Sequence, residues 1–147
     1  MESYLSSRVR SFPSSGIRRI FELARQPGVI SLAVGEPDFD TPAHIREAAK
    51  GALDRGETHY SSNAGIDRVR RAIAEKMSGV NGLSVDPDRE VIVTIGGVEA
   101  LYLAMASTLN PGDEVLLPDP GFMVYSSQAL LCDARPLPYP LRMENGF

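Results

Sequence analysis

The sequence has no tryptophan, one cysteine (Cys132), two histidines (His44 and His59) and two lysines (Lys50 and Lys76). One cysteine excludes an internal disulfide and a thiolate metal cluster. Cys132 ends the apolar run Ala129-Leu130-Leu131-Cys132, a setting that predicts an inert buried thiol rather than a nucleophile. Neither histidine has a second at metal-ligand spacing, so no metal site and no histidine-based triad is expected. Net positive charge is lacking too: 15 basic residues face 19 acidic ones, giving a net charge of −4. Without a positive field the chain has no general attraction to nucleic acid or anionic lipid. No apolar run approaches the ~20 residues that span a bilayer, and residues 1–10 lack the apolar core of a signal peptide. A cytoplasmic protein with no membrane and no nucleic-acid partner is expected.

What is present suits a soluble globular α/β protein: 147 residues, 43% hydrophobic and 23% charged, with no internal repeat. That length fits one domain or a piece of a larger one. Ile17, Ile20, Phe21 and Ala24 fall at helical spacing, ended by Gln26-Pro27-Gly28. Val29–Val34 reads as a short extended run. Thr41-Pro42 predicts a helix start, with the Thr41 hydroxyl as cap and Pro42 in the first turn, running to about Arg55 before Gly56. A second helix carries Ile66, Val69, Ile73 and Met77 as one stripe. Arg68, Arg70 and Arg71 fall mostly off it and read as a solvated face, with Asp67 and Glu75 at helical spacing to Arg71.

From Glu90 the pattern changes. Val91–Ile95 predicts a strand, Val98–Leu109 an apolar helix, Glu114–Pro118 a strand, Phe122–Cys132 a helix and Ala134–Tyr139 a strand. Near-continuous apolar strands joined through helices predict a parallel sheet covered on both faces. Pro136, Pro138 and Pro140 confine the last strand to an edge.

Gly96-Gly97 stands where a strand passes into a helix. Free backbone N–H groups and the positive end of the helix dipole meet there, which makes either an anion cradle or an ordinary tight turn. No third glycine follows at dinucleotide spacing and no Gly-Lys-Ser/Thr is present. A small phosphorylated cofactor suits the site better than ATP or NAD.

Five segments occur in a telling order: Val34-Gly-Glu-Pro-Asp-Phe-Asp-Thr-Pro42, Tyr60-Ser-Ser-Asn-Ala-Gly-Ile66, Thr94-Ile-Gly-Gly-Val-Glu-Ala-Leu101, Pro111-Gly-Asp-Glu-Val115 and Pro118-Asp-Pro-Gly-Phe-Met-Val-Tyr125. Together they resemble the class I/II pyridoxal-phosphate-dependent aminotransferases, in the aspartate and aromatic branch, over essentially the whole chain. The resemblance implies the amino-terminal part of that family's three-layer α/β fold: part of a mainly parallel sheet, flanking helices and an N-terminal arm. Residues 1–42 would form the arm and part of the small domain, and residues 43–147 the start of the cofactor-binding large domain.

By the same resemblance, the backbone amides of Gly97, Val98 and Glu99 hold the phosphate of pyridoxal 5′-phosphate. Phe122 stacks on its ring; the residue-level alternative is a core helix position. Tyr60 reaches the phosphate of the neighbouring subunit of a homodimer, or else is a buried structural tyrosine. Gly35 lies near the substrate carboxylate, or else is a turn glycine. Relatives often place a hydroxyl in the phosphate turn, and no Ser or Thr stands between Gly96 and Ala100.

The resemblance also implies a lysine that holds the cofactor covalently and moves a proton. Lys50 and Lys76 both fall on amphipathic helices, and neither matches it. The reading is therefore a fragment of an enzyme of amino acid biosynthesis, inactive alone, whose intact form moves an amino group between an amino acid and a 2-oxo acid. A non-catalytic phosphate-binding or dimerisation fragment, and a related lyase or synthase, are the alternatives. Expected topology adds that Glu114 and Ala134 begin strands that pair, while Val91–Ile95 lacks its neighbour.

Overall fold

The structure is a computed structural model that describes residues 4–10, 20, 22–32, 35 and 37–147. In chain order its elements are α1 (Ser7–Arg10), α2 (Ala43–Asp54), α3 (Asp67–Asn81), α4 (Gly96–Thr108), β1 (Glu114–Asp119), α5 (Val124–Leu131), β2 (Arg135–Pro140) and a closing 3₁₀ turn (Met143–Asn145). Two compact units are present, Met1–Pro13 with Ala64–Phe147, and Ser14–Asn63.

In the Ser14–Asn63 unit, residues 22–24 are helical; Ile17 and Phe21, on which part of that expected stripe rests, lie outside the described residues. Residues 29–32 form no strand, and Ala33 and Val34 lie outside the described residues. Helix α2 begins one residue later than expected. Pro42 is its N-cap, with φ −48° and ψ 137°, and no side chain caps it. Its carbonyl accepts the N–H groups of Ile45 and Arg46 instead, so the Thr41 cap is not formed. At the other end Gly56 takes φ +73° and gives its N–H to Leu53, a left-handed stop as expected.

The Ala64–Phe147 unit is built on β1 and β2, which pair in parallel with Glu114 opposite Arg135 and Asp119 opposite Pro140. The expected pairing is therefore present. Helix α5 connects the strands and packs on both. Leu117 points to this covered face and is 8% exposed, while its neighbour Leu116 is 70% exposed. One face of the sheet is covered among the described residues; burial on both faces is what parallel strands ordinarily require. The buried apolar side chains described are Leu117, Ala129 and Ala134.

Val91–Ile95 is not a strand. Residues 91–94 have no ladder partner, and their tie is a hydrogen bond from the Val93 N–H to the Ala64 carbonyl at 3.0 Å. An extended segment becomes a strand only by pairing, and no neighbouring strand lies beside it among the described residues.

The arginine cluster also departs from expectation. Arg70 is buried rather than solvated, at 8% exposure. Its guanidinium pairs with Asp67, donates to the Pro87 carbonyl at 2.7 Å and lies 3.5 Å from Asp88. Arg71 pairs with Asp88 at 3.5 Å rather than with Asp67 or Glu75. The loop after α3 folds back over the helix and covers a position that helical periodicity leaves in water.

Candidate functional site

Helix α4 opens at Gly96, two residues before the expected start. Gly96 holds φ +75°, a left-handed geometry that glycine adopts without steric cost. The first-turn N–H groups then have to be accounted for, since a helix leaves about four of them without an intrahelical acceptor. Ile95, the N-cap, gives its N–H to the Glu99 carboxylate. Gly96 gives its own to the Thr94 carbonyl at 3.0 Å. In α2 and α3 the N-cap carbonyl takes two more, from Ile45 and Arg46 to Pro42 and from Val69 and Arg70 to Ile66. No such bond joins Gly97, Val98 or Glu99 to the Ile95 carbonyl among the described residues. The N–H groups of Gly97 and Val98 stand in the first turn, at the positive end of the helix dipole, where a helix leaves donors without an intrahelical acceptor.

Space is open there as well. A Cβ added to Gly97 would meet nothing within 4 Å, so an anion can come up against the backbone. No hydroxyl stands inside the turn; the Thr94 hydroxyl, just before it, donates to the Gly96 carbonyl at 2.9 Å. Glu99 does more than offer an amide, since its carboxylate caps Ile95. Val98 is half exposed.

Phe122 lies just before α5, not inside a helix, and is 49% exposed. Its ring meets Tyr125 edge-on, with centroids 5.7 Å apart and planes at 86°. Both line a cleft of about 220 Å³ with Leu117, Asp119, Gly121 and Pro138. The cleft opens toward the carboxyl ends of the strands, where open α/β sheets bind ligands. Gly121 is held there by contact: a Cβ on it would collide with the Pro118 carbonyl oxygen.

One side chain joins the two regions. Gln128 of α5, 5% exposed, donates from Nε2 to the Val98 carbonyl at 2.6 Å. Periodicity does not single it out in Val124–Leu131, where it follows Ser126 and Ser127; being the one amide of the helix is the available signal.

Gly35 and Tyr60 belong to the Ser14–Asn63 unit. Gly35 is exposed. Tyr60 is fully exposed, at 107%. Cys132 is a half-buried free thiol at the C-cap of α5, less enclosed than expected. No group of histidine, cysteine or acidic residues able to hold a metal occurs among the described residues. No described helix is long and apolar enough to cross a membrane.

A parallel sheet with flanking helices, a glycine-rich helix N-terminus and an aromatic cleft places the chain among the α/β proteins. Comparison with known proteins is more specific. Residues 27–147 match the family model described as aminotransferase class I and II. The chain is 47% identical over 145 residues to an aspartate aminotransferase of Pyrococcus horikoshii, covering 98% of this chain and 37% of that protein. It is 44% identical over 144 residues to aromatic-amino-acid aminotransferase 2 of Thermococcus litoralis, covering 97% and 37%. The solved structure of an aspartate aminotransferase single mutant of Thermus thermophilus superposes with a TM-score of 0.88 at 38% identity, covering 97% of this chain and 38% of that one. The chain belongs to the class I and II aminotransferase family. It spans about 37% of the length of these curated relatives.

Proposed function

We propose that this chain is the amino-terminal part of a pyridoxal-phosphate-dependent aminotransferase of amino acid metabolism, which moves an amino group between an amino acid and a 2-oxo acid. The observation that carries the reading is the helix-opening turn at Gly97, Val98 and Glu99, with open space at Gly97, in a chain of this family. Its donor set and free space fit a phosphate: three N–H groups, a helix dipole and no side chain in the way.

In this reading those three amides hold the phosphate, and Phe122 offers its exposed face to the pyridine ring. When bound, the cofactor supplies an electron sink for negative charge at the amino acid's α-carbon. Gly35 lies near the substrate carboxylate. Tyr60, exposed and hydroxyl-bearing, reaches the phosphate site of a second subunit in a homodimer. Residues 1–42 belong to the arm and small domain, and residues 43–147 open the large domain.

The residue that holds the cofactor covalently is neither Lys50 nor Lys76. Lys50 Nζ is 2.8 Å from Glu47 and its side chain is 67% exposed. Lys76 donates to Asn81 at 2.6 Å, also at the surface. Both are surface side chains with polar partners of their own. The net charge of −4 and the lack of a membrane-crossing helix among the described residues support a place in the cytoplasm.

The test is a transamination assay on the full-length protein, with aspartate and aromatic amino acids offered against 2-oxoglutarate. Cofactor-dependent production of glutamate is expected. A full-length protein that binds the cofactor and transfers no amino group from any amino acid would overturn the activity. Release of ammonia or carbon dioxide instead would point to a lyase.

A further inference from the structure

Gln128 is buried, yet only half of its amide is used. Nε2 donates to the Val98 carbonyl at 2.6 Å, while Oε1 is buried with no partner among the described residues. A buried acceptor without a donor opposes folding, so for stability alone an apolar side chain of the same length would serve as well. The amide is better explained by what it donates to.

The Val98 carbonyl and the Glu99 N–H belong to one peptide plane. A hydrogen bond accepted at the carbonyl fixes the tilt of that plane. It also draws electron density toward the oxygen, which makes the N–H at the other end a stronger donor. Glu99 N–H belongs to the first turn of α4. Gln128 thus acts on the anion site from behind, without touching the anion.

The same side chain reaches toward the cleft through its own helix. Tyr125 and Gln128 are three residues apart in α5, so they share a helix face. Tyr125 in turn holds the Phe122 ring edge-on at 5.7 Å.

We propose that Gln128 is a positioning residue for the cofactor phosphate, setting the orientation and donor strength of the Val98–Glu99 peptide. This inference rests on the reading of the α4 turn as the phosphate site. It predicts a loss confined to ligands that carry a phosphate, whereas a merely structural role weakens every ligand alike.

The experiment measures dissociation constants of pyridoxal 5′-phosphate and of pyridoxal, which lacks the phosphate, in the full-length wild-type protein and in Gln128→Met. Methionine keeps the length and loses the donor. The expected result is an affinity for pyridoxal 5′-phosphate about fivefold lower with pyridoxal unchanged, the scale of one misdirected hydrogen bond to a charged group. Gln128→Leu also loses the donor without burying a charge, so the same phosphate-specific loss is expected of it, and it serves where the methionine variant does not fold. Equal losses for both ligands, or no loss for either, would overturn the positioning role while leaving the phosphate reading intact. A wild-type protein with no preference for the phosphorylated ligand would overturn that reading, and the inference with it.

Discussion

Gly65 and Val93 are packed so closely that a Cβ on the glycine would stand 2.6 Å from both Cβ and Cγ2 of the valine. The preceding residue, Ala64, accepts the Val93 N–H at 3.0 Å. This contact fastens the start of α3 to the extended segment that feeds Gly96 and the anion turn. It takes the place of the strand pairing that residues 91–94 lack.

Gly65 holds φ +99°, so a side chain there meets both backbone strain and a collision. Gly65→Ala is expected to cost about 2–4 kcal/mol in the full-length protein. Gly79, inside α3 with nothing within 4 Å of its added Cβ, is the control: Gly79→Ala should stabilise by about 0.5–1 kcal/mol. Urea melts of the two variants check the pair. Equal effects would mean that the Val93 contact does not constrain Gly65.

The 147-residue chain by itself is expected to fold poorly. Among the described residues the buried apolar side chains are Leu117, Ala129 and Ala134, while Ile95 is 91% and Leu116 70% exposed. Net stability is a small difference between large terms, and so small a core does not offset chain entropy. Sizing chromatography and a urea melt of the isolated chain should show association and no sharp transition. A clean monomer with a cooperative melt would contradict this.

Mixing the isolated chain with pyridoxal 5′-phosphate, reducing with borohydride and mapping the label should give no stoichiometric modification. Lys50 and Lys76 are exposed and held by Glu47 and Asn81, away from any enclosed site. Stoichiometric labelling of either, together with turnover of an amino acid, would show that this chain carries its own catalytic lysine.

The parts of the molecule that a local pattern determines were legible in the sequence. Apolar stretches with turn residues between them located α2, α3, α4, β1, α5 and β2 to within a few residues, because those elements owe their form to periodicity and, for α2, to the glycine stop at Gly56. The glycine pair announced the turn at α4. What stayed hidden depends on which segments meet in space. Arg70 sits off the apolar stripe and is buried all the same, by a loop whose Pro87 carbonyl it binds. Val91–Ile95 has the composition of a strand, and composition cannot supply a neighbour. Gln128 lies thirty residues from the carbonyl it serves, and no spacing rule links the two. Thr94, outside the glycine turn, braces it through a bond to Gly96.

The central claim, that the amides of Gly97, Val98 and Glu99 anchor the cofactor phosphate, is tested most directly by the dissociation constant of pyridoxal 5′-phosphate in full-length Gly97→Val beside full-length Phe122→Ala. A side chain at Gly97 fills the open space above the turn and pushes a phosphate dianion off several charge-assisted hydrogen bonds at once. Loss of Phe122 removes one stacking face, on the order of 1 kcal/mol beyond the buried area. Both variants should remain folded, since Gly97 has no neighbour to displace and Phe122 is half exposed. The account predicts the larger loss of affinity in Gly97→Val; a Phe122→Ala protein that loses the cofactor beside a Gly97→Val protein that keeps it would contradict it.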